Sequence, residues 1–142
     1  LYKDAEQIIK ESVYEGASVV ADSIKSGLKS LPVDNGQGTE DKMLTGVSRR
    51  QKADLIDAFG LAPIESNGDY INTKAGFDGY GQTKSKKYPK GLPNALLMRS
   101  VESGTSFRKK TPVIRSAVNK SRKAAVEAMD KKMEEACTEL MD

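Results

Sequence analysis

The chain has 142 residues, of which 37% are hydrophobic, 6% aromatic and 30% charged, and these proportions predict a single globular domain with a lean core. It contains no histidine and one cysteine, Cys137, so it lacks the commonest general base and metal ligand and cannot form an internal disulfide. Net charge is only +3, but residues 84–132 hold 14 basic and 3 acidic side chains while the remainder holds 9 basic and 17 acidic ones.

The first element is a long helix. Apolar residues recur every three or four positions from Tyr2 to Leu31, which is the period of one helix face, and Pro32 ends the pattern. The following segment is rich in glycine and asparagine and has no period. We expect a flexible loop near 34–47.

A short second helix follows this loop. Ser48 and Gln51 have the spacing of a capping box, and Gly60 has the position of a C′ residue. Asp54 and Asp57 are interpreted as solvated charges on the surface of this helix, rather than as an acid–base pair or metal ligands.

Extended segments come next. The stretches 61–64 and 70–77 are separated by Asn67-Gly68, a dipeptide that favours a tight turn, and together they predict a β-hairpin. One face of its second strand would hold Ile71, Thr73, Ala75 and Phe77.

Residues 78–92 are rich in glycine, lysine and tyrosine and predict a long, exposed, flexible loop. The glycines at 76–81 only superficially resemble a phosphate-binding loop, because no helix follows them directly. We interpret them as positions where the backbone turns sharply or where another backbone approaches. Pro93 then opens a short helix that stops at Gly104.

The last element is a second long helix. Thr111 is a plausible N-cap, Pro112 suits the first turn, and apolar residues keep helical spacing from Ile114 to Leu140. Cys137 lies on this stripe and is interpreted as a small core residue. At 1.5 Å per residue the helix is about 45 Å long. Because this exceeds the diameter of a domain of this size, we expect part of it to project or to contact a neighbouring subunit, the alternative being a helix packed only on its own core.

These elements predict an α+β fold in one domain, 1–142. Long N-terminal and C-terminal helices would pack on a small antiparallel sheet or β-hairpin, with one or two short helices.

The basic residues form the main candidate binding surface. Eleven of them could contact phosphates or a neighbouring subunit: Lys84, Lys86, Lys87, Lys90, Arg108, Lys109, Lys110, Arg115, Lys120, Arg122 and Lys123. A solvated or subunit-facing surface and loose, non-specific contact with DNA are both compatible with this composition. A chain with separate acidic and basic parts can also attract its own copies head to tail.

Catalysis has weaker signals. Ser103 and Ser106 lie close to Glu102 in sequence, but with no histidine the base would have to be Lys109 or Lys110, which requires burial and a depressed pKa. Glu134 and Glu135 are interpreted as solvated charges. We expect no enzyme activity, no metal site and no cofactor.

The segment 102–117 resembles the tail-completion and head–tail joining proteins of tailed bacteriophages. In that family a short helix runs into a Glu-x-Gly-Thr turn, which is matched here by Glu102, Gly104 and Thr105. A Pro-Phe-x-Arg-Pro-Ala start then opens the C-terminal helix, matched here by Pro112 and Arg115.

This sequence departs from the family pattern at three places. Val113 replaces the usual aromatic residue and Ser116 replaces the second proline. The family's Pro-Val-Asp-Thr-Gly link is similar to 32–34 here, with its Thr-Gly pair displaced to Thr45-Gly46.

The resemblance implies a virion structural protein that forms a ring, commonly six-fold, in the neck or upper tail. It would act as a tail-completion protein, tail terminator or head–tail connector that joins the DNA-filled head to the tail tube. Its implied partners are copies of itself, neighbouring connector and tail-tube proteins, and DNA in the channel as a non-specific contact, with no enzyme activity and no cofactor. Such a protein is made in the cytoplasm of the host bacterium and ends in the virion.

No apolar run in the sequence approaches the ~20 residues that span a bilayer, so we expect no membrane partner. The alternative function is that of a non-specific nucleic-acid-binding protein, because the same basic residues could contact phosphates.

Overall fold

The fold is α+β, as predicted, in a computed structural model that describes residues 2–67 and 70–141. These residues form four helices and two small antiparallel sheets, joined by loops. In chain order the elements are α1 (Tyr2–Lys29), α2 (Arg49–Ala58), β1 (Phe59–Leu61), β2 (Glu65–Ser66), β3 (Ile71–Asn72), β4 (Ala75–Phe77), α3 (Asn94–Ser103) and α4 (Val113–Met141).

Helices α1 and α4 form an antiparallel hairpin along most of the molecule. Gly16 of α1 lies against the side chain of Met129, and Gly27 lies against Val113, so the two helices run in opposite directions. Between these points the Ser23 hydroxyl donates to the Ala117 carbonyl at 3.1 Å. The glycines allow close approach because a Cβ at either position would overlap the facing side chain.

The remaining elements pack on one half of this hairpin. β1 pairs with β4 and β2 pairs with β3, both antiparallel, which gives the predicted hairpin two short ladders instead of one. The core cluster combines side chains from α1, α2, β1, α3, α4 and the segment between α1 and α2: Ala21, Ile24, Leu28, Leu31, Val47, Leu55, Phe59, Leu97, Met98, Val101, Val113 and Ala117.

The structure adds detail to the prediction at the end of α2 and in the β-hairpin. Helix α2 ends at the C-cap Phe59, so Gly60 has the predicted C′ position, but it continues into β1 without the positive φ of a glycine cap. Ala75, predicted to share a face with Phe77, is exposed, whereas Phe77 packs against the core cluster. The predicted Asn67-Gly68 turn lies partly outside the described residues.

The predicted ends of the short helices are confirmed. Ser48 caps α2, and its hydroxyl and the Gln51 side chain form both hydrogen bonds of the capping box. Helix α3 follows Pro93 and ends at Gly104, whose φ of 79° lies in the left-handed region that favours glycine. Local sequence therefore determines these boundaries.

The two predicted loops have ordered hydrogen bonds at their bases, and their flexibility stays a prediction. In the loop after β4, the Gly81 N–H donates to the Leu92 carbonyl and the Asn94 N–H donates to the Gly79 carbonyl. Gly91, with φ of 106°, packs directly on the Gly81 carbonyl, so one of the glycines at 76–81 meets another backbone as predicted, whereas a Cβ at Gly76 or Gly79 would meet nothing within 4 Å. Within residues 2–67 and 70–141, no helix has the length and apolar character needed to cross a membrane.

Candidate functional site

The displaced halves of the Pro-Val-Asp-Thr-Gly motif are brought together by the fold. The Asp34 carboxylate accepts hydrogen bonds from the Gly36 N–H at 2.9 Å, from the Thr45 N–H at 3.0 Å and from the Thr45 hydroxyl at 3.3 Å. The backbone hydrogen bond from Thr45 is the largest of the effects that hold the pKa of Asp34 below its ordinary value of 3.8. The insertion between Asp34 and Thr45 is therefore a loop that returns to its starting point.

Gly46 completes this contact. The Val47 N–H donates to the Pro32 carbonyl at 3.1 Å, and the Asp34 N–H donates to the Val47 carbonyl at 2.8 Å. A Cβ at Gly46 would overlap the Pro32 carbonyl, so only glycine fits between these strands of backbone.

The Glu102–Ala117 segment meets the same place. The Leu44 N–H donates to the Phe107 carbonyl and the Lys109 N–H donates to the Leu44 carbonyl, each at 2.8 Å. The guanidinium Nη1 of Arg108 donates to the Gly46 carbonyl, across 62 residues of sequence. We call residues 32–48 and 102–112, which meet here, the junction.

Arg108 was predicted as a subunit or DNA contact, and this prediction was wrong. Its side chain is only 6% exposed because it points into the junction. Burial lowers the pKa of Arg108, and the nearby Asp34 carboxylate opposes that effect. Its Nε has no hydrogen-bond partner among the described residues.

Glu102 caps the start of α4 from the end of α3. Its Oε1 accepts from the Ile114 N–H at 2.8 Å and its Oε2 accepts from the Arg115 N–H at 3.0 Å. The side chain thus takes the capping role predicted for Thr111, whose carbonyl accepts from the Val113 N–H instead. A carboxylate is well suited to a helix N-terminus, where free N–H groups and the helix dipole both favour negative charge.

The other motif residues form the tight turn between α3 and α4. Gly104 ends α3, and the Thr105 hydroxyl accepts from the Phe107 N–H at 3.3 Å. The backbone of Thr105 exchanges hydrogen bonds with Arg108 in both directions. Pro112 precedes the first residue of α4, and its carbonyl accepts from the Ser116 N–H at 3.0 Å.

The other ten basic candidates are exposed, and they belong to three segments of the chain. Four are on the loop 78–92, two on the connection before α4, and four on the first half of α4: Lys84, Lys86, Lys87 and Lys90; Lys109 and Lys110; Arg115, Lys120, Arg122 and Lys123. The described residues contain one ion pair, Lys10 with Glu6 at 3.5 Å. The basic side chains are therefore free to meet an external partner.

Asp54 is a buried residue that sequence reasoning placed on the surface. Its carboxylate accepts from the Gln82 backbone N–H at 3.0 Å and from the Gln82 side-chain amide at 2.9 Å, so the prediction of a solvated charge was wrong. The partner comes from the loop 78–92 and not from α2, and no local signal could reveal it. Asp57, Glu134 and Glu135 are exposed, as predicted.

The serine and lysine side chains considered as catalytic candidates are exposed in the structure. Ser103, Ser106 and Lys109 are exposed, so Lys109 lacks the burial that a lysine base requires. Among residues 2–67 and 70–141, no group of three or more His, Cys, Asp or Glu side chains could hold a metal ion. Cys137, expected in the core, is exposed.

The junction is built from the motif residues, and the resemblance to the phage family rests on those residues alone. Comparisons of the chain with protein-family models, with curated proteins and with solved structures each returned no match.

Proposed function

We propose that this chain is a ring-forming structural subunit of the neck or upper tail of a tailed phage, which joins the head to the tail tube. The observation that carries the proposal is the junction. The three segments that resemble family motifs are distant in sequence, yet they form one hydrogen-bonded unit in which Asp34 binds Thr45, Arg108 binds Gly46 and Glu102 caps α4.

The position of the junction at the start of α4 also supports a joining role. The junction follows the C-terminal end of α1 and precedes the N-terminal end of α4. Its hydrogen bonds therefore fix the position of the first turn of α4. They also join residues that are distant in sequence, such as Leu44 with Phe107 and Arg108 with Gly46. Subunits of a symmetric ring make the same contact at every interface, so a helix that contributes to that contact must have a fixed orientation, and the hydrogen bonds of the junction provide one.

Oligomeric state and position in the particle test the proposal together. Purified chain should form closed rings with a central channel by negative-stain electron microscopy, of one defined copy number by native mass spectrometry. Antibodies raised against the chain should label the neck or upper tail in particles of the phage that encodes it. A chain that stays monomeric up to high micromolar concentration, or particles that join heads to tails without it, would contradict the proposal.

Non-specific nucleic-acid binding remains a second candidate, favoured by the ten exposed basic side chains and by the single internal ion pair of the described residues. In a mobility-shift assay, affinity should fall steeply with salt, because each phosphate contact releases counterions. Lys123→Ala should reduce the slope of log affinity against log salt by about 0.9, as expected for one lost contact on double-stranded DNA.

Buried Arg108 provides a matched control for this assay. Arg108→Met removes the same charge from a side chain that does not reach the surface, so the slope should stay unchanged in a variant shown to be folded by circular dichroism. Absence of binding at low salt would eliminate this candidate.

A further inference from the structure

The outer half of the α1–α4 pair has an exposed apolar face in the part of the chain that the structure describes. We call residues 4–15 and 126–141 the tip, and residues 16–29 and 113–125 the base. On the tip, Val126, Met133 and Leu140 are 52%, 37% and 57% exposed. They are spaced seven residues apart, so they line one face of α4 in the pattern by which helices pack against other helices.

The base is covered in a different way. All buried residues of α4 lie in the base: Val113, Ala117, Ser121 and Ala125. They recur every four positions and face α1 and the core cluster. The exposed stripe starts at Val126, immediately after the last buried residue, so the change of pattern coincides with the change from base to tip.

The two halves also differ in charge. The tip holds nine acidic and three basic residues, a net charge of −6, whereas the base holds six basic and one acidic residue, a net charge of +5. The ion pair of the described residues, Lys10 with Glu6, lies within the tip, so base and tip do not neutralise each other inside one copy.

We infer that the tip of one copy docks on the base of a second copy, head to tail, an inference that rests on the proposed ring. Charge complementarity selects this partner, because two tips would bring together two surfaces of −6 whereas a tip and a base attract. The apolar stripe contributes burial once the surfaces meet. A head-to-tail contact leaves one free tip and one free base after every addition, and it closes into a ring when the rotation between copies fits.

Cys137 is a built-in probe for this contact, because it is exposed on the tip and is the chain's only cysteine. Lys120 and Lys123 lie on the base of the same helix, and the nearer of them is 14 residues away, or about 21 Å along the axis. A short thiol-to-amine cross-linker cannot span that distance within one copy. A mixture of isotopically light and heavy copies should therefore give light-to-heavy cross-links from Cys137 to Lys120 or Lys123.

The results separate the two proposals. Rings in which Cys137 links to a second copy only through Lys131 or Lys132 would indicate tip-to-tip contact, and rings without any Cys137 link would also overturn the head-to-tail inference while leaving the proposed function intact. A chain that forms no rings would overturn both.

Charge-swap variants give an independent measurement by analytical ultracentrifugation. Glu134→Lys with Glu135→Lys, or Lys120→Glu with Lys123→Glu, should each weaken self-association by about tenfold, since they place like charges across the contact. All four substitutions in one chain should restore it. Asp57→Lys with Glu65→Lys is the matched control for the glutamate pair, because it makes the same charge change at exposed positions outside α1 and α4. An equal loss in the control, or no restoration in the fourfold variant, would refute the contact.

Discussion

Removal of the Glu102 carboxylate should destabilise the whole fold through the start of α4. This side chain accepts two backbone hydrogen bonds, from Ile114 at 2.8 Å and Arg115 at 3.0 Å. In the Glu102→Ala variant both N–H groups lose their acceptor at a half-buried helix end, and the favourable interaction of a negative charge with the helix dipole is lost as well.

The magnitude follows from these two effects. Loss of a helix N-cap costs about 1 kcal/mol, and the charge at the helix N-terminus contributes up to about 1 kcal/mol more, so the free energy of unfolding should fall by about 2 kcal/mol. For a chain of this length that corresponds to a decrease in Tm of about 8 °C. Glu102→Gln keeps one acceptor oxygen but loses the charge, and its loss should be about half as large.

Urea unfolding followed by circular dichroism measures these changes. Glu127→Ala is the control, because Glu127 is an exposed glutamate on α4 beyond its first three turns. The charge contribution should shrink in high salt, whereas the hydrogen-bond contribution should persist. If Glu102→Ala and Glu127→Ala unfold within about 0.5 kcal/mol of each other, the scatter usual for surface substitutions, Glu102 does not cap α4.

Two further predictions concern the opposite side of the junction. Gly46→Ala should lower the free energy of unfolding by about 2–3 kcal/mol, because the new methyl group overlaps the Pro32 carbonyl and the backbone must move. Gly60→Ala is the control in the same urea titration. It should be nearly neutral, because a Cβ at Gly60 meets nothing within 4 Å. Asp34 has a lowered pKa, so its contribution to stability is present above its unfolded-state pKa near 3.8 and is lost as pH falls through the lower folded-state value. The Asp34→Asn variant should therefore show a smaller loss of stability than the unaltered chain between pH 5 and pH 2, and an identical loss would exclude Asp34 as a contributor.

Much of the helical framework could be predicted from the sequence because its signals are local. The capping box at Ser48 and Gln51, the stop at Gly104 and the apolar period of α1 each depend on residues within a few positions of one another. The family-like turn was also identified from Glu102, Gly104 and Thr105. Its mechanical role was not, because the N–H groups that Glu102 caps lie 12 and 13 residues further along the chain.

The errors share a physical cause, which is that long-range contacts decide burial. Arg108 stands in a run with Lys109 and Lys110, and nothing in that run shows that the first side chain turns inward to Gly46 while the other two stay in solvent. Asp54 has the sequence context of a surface helix residue, and its partner Gln82 lies 28 residues away. Both are buried polar groups whose hydrogen bonds form only when distant segments meet.

Cys137 represents a third kind of error. Its helical spacing was read as a sign of the core, but a periodic apolar face is equally expected where a helix meets a second copy of its own chain. The structure distinguishes the two cases, through the spacing of the buried and the exposed residues of α4. Residues 113–125 are buried at intervals of four against α1, whereas Val126, Met133 and Leu140 follow at intervals of seven and stay exposed. A change of interval within one uninterrupted helix therefore indicates where the exposed apolar stripe of α4 begins, and it places the expected contact between copies on the tip rather than on the junction.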